Sequence, residues 1–308
     1  MALIHAAGKF QLIALSHCPL CRETARKRLF EIRDSAVYQC LNCGLRFIDP
    51  CLAPQSMQAA YESEESLKDF HGFHKGYYDY GDLETETKTV TDFRRALEQL
   101  ERRVPGPRSE QSIFDVGFGN GLFLALAKKR GWKVGGIDTS AGNVELVRQK
   151  FSLQLAQSDL EHYDPRGAAY DVVSFWDVLE HLSQPHSAIQ KARDLLKPGG
   201  FILIGVPNDN SFLRMASSFL YHVSFGKIKK GIEKAYFLEH VAYYELATIT
   251  KLLSRNHFKL CDYFFTSTDL AKYTLPPLDR FLARFILLLG KLSGRQNRLV
   301  AAFQRTEP

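Results

Sequence analysis

From residue 112 onward the sequence alternates short apolar runs with amphipathic segments, and this constrains the fold more than any other feature. The runs "SIFDVG" (112–117), "KVGGID" (133–138), "LQLAQSD" (153–159), "YDVVSFW" (170–176) and "FILIGVP" (201–207) read as strands. Between them, "LFLALAKKR" (122–130), "AGNVELVRQKF" (141–151) and "HSAIQKARDLL" (186–196) read as helices, the first stopped by Gly131 and the last by "KPGG". Such alternation implies a mostly parallel sheet covered on both faces, with ligands bound beyond the carboxyl ends of its strands. Two more strands, "FKLCDYFF" (258–265) and "RLVAAFQ" (298–304), and helices near 243–255 and 278–291 complete the expectation. The fold class is α/β, a Rossmann-like, doubly wound, seven-stranded sheet.

The first strand runs into "DVGFGNG", residues 115–121. Glycines at alternate positions let the backbone pass close beneath a ligand, and a helix N-terminus follows at once. A dinucleotide fingerprint, G-x-G-x-x-G, is not met, because position 122 is Leu. Asp138 ends the second strand, where an acid suits the two hydroxyls of a ribose. The pattern D-x-G-x-G-x-G resembles motif I of class I S-adenosylmethionine (SAM)-dependent methyltransferases. "YDVVSFWDVLEHL" and "LLKPGGFILIGVPN" resemble that family's fourth strand and its turn into the fifth. The resemblance runs from 112 to 208 and, more loosely, to 305. It implies SAM as cofactor, with Asp115, Gly117, Gly119, Gly121 and Asp138 around it. It makes Asp159 of "QSDLEHY" the partner of the adenine amine, sets Leu160 beside the ring, and brings Trp176 close to the sulfonium.

The fourth strand ends in Asp177, Glu180 and His181, which share one face if the chain turns helical there. Buried acids and a histidine are costly without partners. Further along, "FLEHVAYY" supplies His240. The set D-x-x-E-H with a distant His resembles the metal site of small-RNA 2′-O-methyltransferases, and an E-x-x-E-H set occurs in ubiquinone-biosynthesis O-methyltransferases. The resemblance implies a divalent ion on two carboxylates and two imidazoles, orienting and acidifying an acceptor hydroxyl. The residues alone leave three readings open: a metal site of Asp177, Glu180, His181 and His240; pocket residues without metal, with His240, His181 and Asp177 as the catalytic candidates; or purely structural groups.

Four of the six cysteines, Cys18, Cys21, Cys40 and Cys43, fall as C-x2-C-x18-C-x2-C. Paired cysteines at this spacing read as a tetrahedral zinc site, and four thiolates leave no open position, so the role is structural. Residues 1–52 form a zinc-ribbon module too small to hold a core without the metal. Residues 53–110 are a helical and aromatic connector, with a helix near 84–103 and aromatic and histidine residues (Tyr61, His71, His74, Tyr77, Tyr78, Tyr80) that could reach over a pocket. The resemblance makes residues 111–308 the methyltransferase domain, with 209–239 expected as a helical insertion or lid with a basic centre.

The net charge of +6 admits anionic partners without requiring them. The basic residues are scattered, so nucleic acid is not the favoured partner. The layout resembles methyltransferases of sugar and surface-polysaccharide pathways, which implies a small-molecule acceptor, most simply a hydroxyl of a sugar-containing metabolite. The alternatives are an rRNA methyltransferase that docks RNA through the zinc module and a non-catalytic zinc-ribbon adaptor. No charged, apolar leader opens the sequence and no run reaches the roughly 18–20 apolar residues of a membrane span, so a cytoplasmic location is expected. "PPLDRFLARFILLLGKLSGR" has the composition of an interfacial helix, but its place between the last two strands favours a core helix packed on the sheet.

Overall fold

The structure, a computed structural model, describes residues 3–5, 11–60, 83–270 and 275–307. Tyr61, His71, His74, Tyr77, Tyr78 and Tyr80 lie outside the described residues. In chain order the strands are β1 (Leu3–His5), β2 (Gln11–Ile13), β3 (Arg26–Ile32), β4 (Ser35–Cys40), β5 (Arg46–Asp49), β6 (Cys51–Leu52), β7 (Ser112–Val116), β8 (Lys133–Asp138), β9 (Ala156–Gln157), β10 (Tyr170–Trp176), β11 (Leu196–Pro207), β12 (Ala242–Tyr243), β13 (Phe258–Thr266) and β14 (Arg298–Arg305). The helices are α1 (Pro54–Ala60), α2 (Lys88–Glu101), α3 (Leu122–Lys129), α4 (Ala141–Phe151), α5 (Pro185–Asp194), α6 (Phe212–Val223), α7 (Lys230–Ala235), α8 (Leu246–Ser254) and α9 (Pro277–Leu292).

Seven strands form one sheet in the order β13-β14-β11-β10-β7-β8-β9. The five from β11 to β9 are parallel, and β14 runs antiparallel between β11 and β13. Its central strands are apolar on both faces because helices cover both: Val172, Val173, Phe175, Ile202 and Ile204 are fully buried. The strand order reverses between β7 and β10, so the turns after β7 and β10 open into the same crevice, where this fold class binds ligands. The third strand is shorter than its sequence suggests, reduced to Ala156 and Gln157, which pair with Ile137 and Asp138.

The cysteine-bearing segment builds a second, four-stranded sheet, β12-β5-β4-β3. Its last strand is borrowed: Ala242 and Tyr243 pair antiparallel with Phe47 and Arg46, and the Ile48 N–H donates to the Val241 carbonyl at 3.0 Å. The apolar side chains of this sheet, among them Phe30, Val37 and Phe47, join Tyr236, Tyr243, Ile189 and Leu252 in one continuous core.

Helix α9 departs from the expectation of a core helix. Only Gly290 of its residues is buried, and Leu278, Phe281, Phe285, Leu288 and Leu292 are exposed. A helix apolar all round normally reads as buried. Here α9 packs along one edge against α6, and its opposite face is exposed.

Candidate active site and cysteine centre

Three glycines shape the turn after β7, each with positive φ: Gly117 (69°), Gly119 (54°) and Gly121 (71°). L-residues avoid that region, and space excludes them too. A Cβ on Gly117 would lie 2.6 Å from Val178 Cγ2, and one on Gly121 2.5 Å from Val147 Cγ2. Asp138, at the end of β8, pins the turn. Its carboxylate accepts from the Gly119 N–H at 2.8 Å, the Ser140 N–H at 2.9 Å and Asn143 Nδ2 at 3.1 Å. Asp115 lies fully buried at the centre of the sheet, and the Ser174 hydroxyl donates to it at 2.7 Å. Burial pushes its carboxyl up to about 8 against that hydrogen bond.

The other expected cofactor contacts lie around this turn. Asp159 is half exposed and accepts from the His162 N–H and ring at 2.8 Å. Leu160 packs partly against the core. Trp176 turns to the face covered by α2 and α3, with ring centroids 4.6 Å from Phe93 and 5.2 Å from Phe123. Its Nε1 donor is buried without a partner.

Beyond Trp176 the chain bends sharply: Asp177 has φ 55°, and its N–H donates to the Gly205 carbonyl at 2.9 Å. A single 3₁₀ turn, Leu179–His181, follows. Of the four residues of the D-x-x-E-H…H set, three converge: ligand atoms of Glu180, His181 and His240 all lie within 4.8 Å of one another. Asp177 is instead ion-paired with Arg298 at 2.8 Å. The imidazoles of His181 and His240 meet edge to face with centroids 4.9 Å apart. His181 Nδ1 is 2.8 Å from the Glu239 carbonyl oxygen. A carbonyl can only accept, so Nδ1 carries the proton and Nε2 the lone pair. Burial lowers the pKa of His181 and keeps the ring neutral. Glu180 is 2% exposed and both its oxygens lack a hydrogen-bond partner. Burial, with the nearby Asp177 charge, pushes its carboxyl well above the ordinary range.

Three residues here had no part in the sequence analysis. Glu239 fixes the His181 tautomer. Tyr244, fully buried with a hydroxyl that lacks a partner, is held well above the ordinary phenol range by burial, with Glu180, Cys18 and Cys43 adding to the effect. Glu239 and Tyr244 stand within "FLEHVAYY" and are visible there as polar groups flanking His240. Arg298 has no local signal, because its partner Asp177 lies on another strand.

The four cysteines are gathered tightly. Cys18 and Cys43 sulfurs are 3.6 Å apart, Cys21 and Cys40 3.3 Å, and all four lie within 4.8 Å of one another. The two C-x2-C turns share a geometry: the residue after each pair has positive φ, Arg22 (62°) and Gly44 (84°). Each donates its N–H back to the first cysteine's carbonyl, at 2.9 and 3.1 Å. The knuckles are tied to the larger sheet's helices. Lys251 Nζ donates to the Cys43 carbonyl at 2.9 Å, and the Leu20 carbonyl accepts from Arg255 at 3.3 Å and lies 2.6 Å from His186 Nε2. Cys51 is buried outside this cluster.

A glycine turn pinned by an acid, at the switch point of a seven-stranded 6-7-5-4-1-2-3 sheet, defines a class I SAM-dependent methyltransferase. A family model described as a methyltransferase domain matches residues 90–262, and the chain belongs to that family. Among curated relatives, the ubiquinone biosynthesis O-methyltransferase of Pectobacterium atrosepticum is 30% identical over 107 residues, 33% of this chain and 44% of that protein. That of Leptothrix cholodnii is 32% identical over 111 residues, 33% of this chain and 47% of that protein. The chain thus spans less than half the length of the curated relatives it matches. Solved structures share the fold at 15% identity. The 1,6-didemethyltoxoflavin-N1-methyltransferase of Burkholderia thailandensis, with bound S-adenosylhomocysteine, covers 91% of this chain and 100% of its own at a TM-score of 0.51. The plantazolicin methyltransferase BpumL in complex with SAH covers 82% and 94%, also at 0.51. Among the described residues no helix is long and apolar enough to cross a membrane.

Proposed function

We propose that this methyltransferase acts on a hydroxyl of a small-molecule acceptor and that the cluster of Glu180, His181 and His240 handles the acceptor's proton. The observation that carries the reading is the convergence of these three at the carboxyl end of β10, beside the glycine turn. SAM supplies a methyl already activated on a sulfonium, so the protein's share is to align the acceptor and remove its proton. A neutral His181 with its lone pair on Nε2 suits that step, and Glu239 holds the ring in the required tautomer. The names of the curated relatives, O-methyltransferases, agree with a hydroxyl acceptor. Around SAM we assign Gly117, Gly119 and Gly121 to the close backbone approach, Asp138 to the ribose hydroxyls, and Asp159 and Leu160 to the adenine. Asp115 and Trp176 support this site from behind.

A second reading rests on Glu180. A buried carboxyl whose two oxygens lack a partner is costly, and a divalent cation held by Glu180, His181 and His240 would relieve it. His181 donating its other ring nitrogen to a carbonyl is the usual arrangement of a metal-bound imidazole. Such an ion would acidify the acceptor hydroxyl. Asp177, paired with Arg298, stands apart from that donor set. For the four cysteines we propose a structural zinc: at a Zn–S length of about 2.3 Å, tetrahedral sulfurs are about 3.8 Å apart, close to the spacing here.

One experiment separates the readings. Elemental analysis of wild type and His240→Ala is combined with methyl transfer from labelled SAM to a panel of phenolic, sugar and RNA acceptors. One chelation-resistant zinc in both proteins, with hydroxyl methylation lost only in His240→Ala, supports the metal-free base. A second, weakly held ion lost in the variant supports the metal-assisted one. Methylation of RNA alone would overturn the small-molecule reading.

A further inference from the structure

Scattered exposed apolar residues are normal on a protein surface, whereas contiguous patches mark contact sites. Among the described residues, twelve of the fourteen exposed large hydrophobic side chains fall on two segments, 215–228 and 278–292. On α9 the exposed set Leu278, Phe281, Phe285, Leu288 and Leu292 recurs at helical spacing on one face. On the packed neighbour α6, Met215, Phe219, Leu220 and Val223 do the same, and the turn beyond carries Phe225, 93% exposed with φ 51°.

The charge around this patch is predominantly positive. Arg280, Arg284 and Lys291 recur four and seven residues apart along one flank of the α9 face, and Lys227 and Lys229 bracket the exposed Ile228, Lys229 being ion-paired with Glu31 at 3.7 Å. Asp279 and Glu233 are the only acids in segments 212–235 and 277–292. A second copy of the chain would set this cationic fringe against itself across a two-fold axis, where the same patch faces its like. A surface that combines apolar depth with negative headgroups complements both features at once.

The patch adjoins the catalytic end of the sheet. Helix α6 begins just past β11, and the Phe212 N–H donates to the Arg295 carbonyl at 2.9 Å, beyond the end of α9. Arg295 bonds Asn210 at 2.6 Å, and Arg298, which opens β14, holds Asp177.

We propose that α6, the turn after it, and α9 form a docking face for an anionic lipid bilayer, seating the crevice end of the sheet on the membrane surface. This goes beyond the methyl-transfer reading and does not depend on the acceptor's identity.

The test is sedimentation of the full chain with phosphatidylcholine vesicles, with and without phosphatidylglycerol, and no acceptor or SAM present. The wild type is expected to bind the anionic vesicles about tenfold more than the neutral ones. Phe281→Ser/Phe285→Ser should abolish binding to both, and Arg284→Glu/Lys291→Glu should remove the anionic preference. These side chains are exposed, and unchanged circular dichroism would show that the variants fold. Absence of wild-type binding to anionic vesicles overturns the proposal. So does a lipid-free dimer in sedimentation velocity that the Phe281→Ser/Phe285→Ser variant dissolves. SAM binding measured by calorimetry on the same proteins reports separately on the methyltransferase reading, so either can fail alone.

Discussion

His181 and His240 stand with ring centroids 4.9 Å apart, although they come from opposite sides of the α6–α7 excursion. His181 is set by the end of β10. His240 immediately precedes the segment that completes the cysteine-bearing sheet at Ala242 and Tyr243. The geometry of the pair therefore depends on both sheets.

From that dependence a remote effect of the cysteine centre on catalysis is expected. Cys43→Ser should lose the zinc proposed for the four cysteines and cut kcat at least about tenfold, because β5 and its partner β12 loosen together and the His240 loop with them. The thermal midpoint should fall in the same variant. Metal content, melting and activity measured on one preparation check this. Full activity in a zinc-free Cys43→Ser protein would mean that the His240 loop holds itself.

Gly117→Ala should weaken SAM binding by about tenfold or more. The added methyl costs roughly 1–2 kcal/mol in the left-handed region, and it also meets Val178. Calorimetric titration with SAM measures it. Adding Val178→Ala should recover the steric part of the loss and leave the conformational part.

His181→Gln should lower kcat by about 10²–10⁴, the range of a lost general base, with little change in SAM affinity. Burial depresses the His181 pKa, so the wild-type rate should hold its plateau below the ordinary imidazole value of about 6.5 and fall only at lower pH. A pH–rate profile with an acidic limb above that value would place the proton on another group.

Stability should fall as pH rises from about 4 toward 8. Burial pushes Asp115 up to about 8, and Glu239 likewise. The folded chain therefore keeps protons that the unfolded chain releases near the ordinary carboxyl values of about 4. Below that range both states are protonated and the penalty is absent; above about 8 it is complete. Asp115→Asn should flatten the slope by up to about 1.4 kcal/mol per pH unit across that window. Urea unfolding at pH 5 and pH 7 reads it, and an unchanged slope would mean that Asp115 ionises in place.

The parallel sheet was legible in the sequence because its central strands are apolar on both faces and two of the crossover helices run into stop signals, Gly131 and "KPGG". The glycine turn was legible for the same local reason. Other features depend on partners that sequence periodicity does not encode. The pairing of Asp177 with Arg298 joins strands β10 and β14. The apolar helix α9 looks like core because its composition is the same whether or not something covers it. The two-residue strand β12 is too short to carry any pattern, yet it completes the cysteine-bearing sheet from a distant part of the chain.

The borrowed strand also limits how this chain can be re-engineered. Cut away residues 1–52, and Ala242 and Tyr243 become an unsealed edge, with Tyr236 and Tyr243 stripped of Phe30 and Phe47. The ribbon cannot be transplanted as a cassette either, since its sheet would arrive one strand short. Swaps between relatives should therefore move residues 11–52 together with 236–256, two distant stretches of one structural unit.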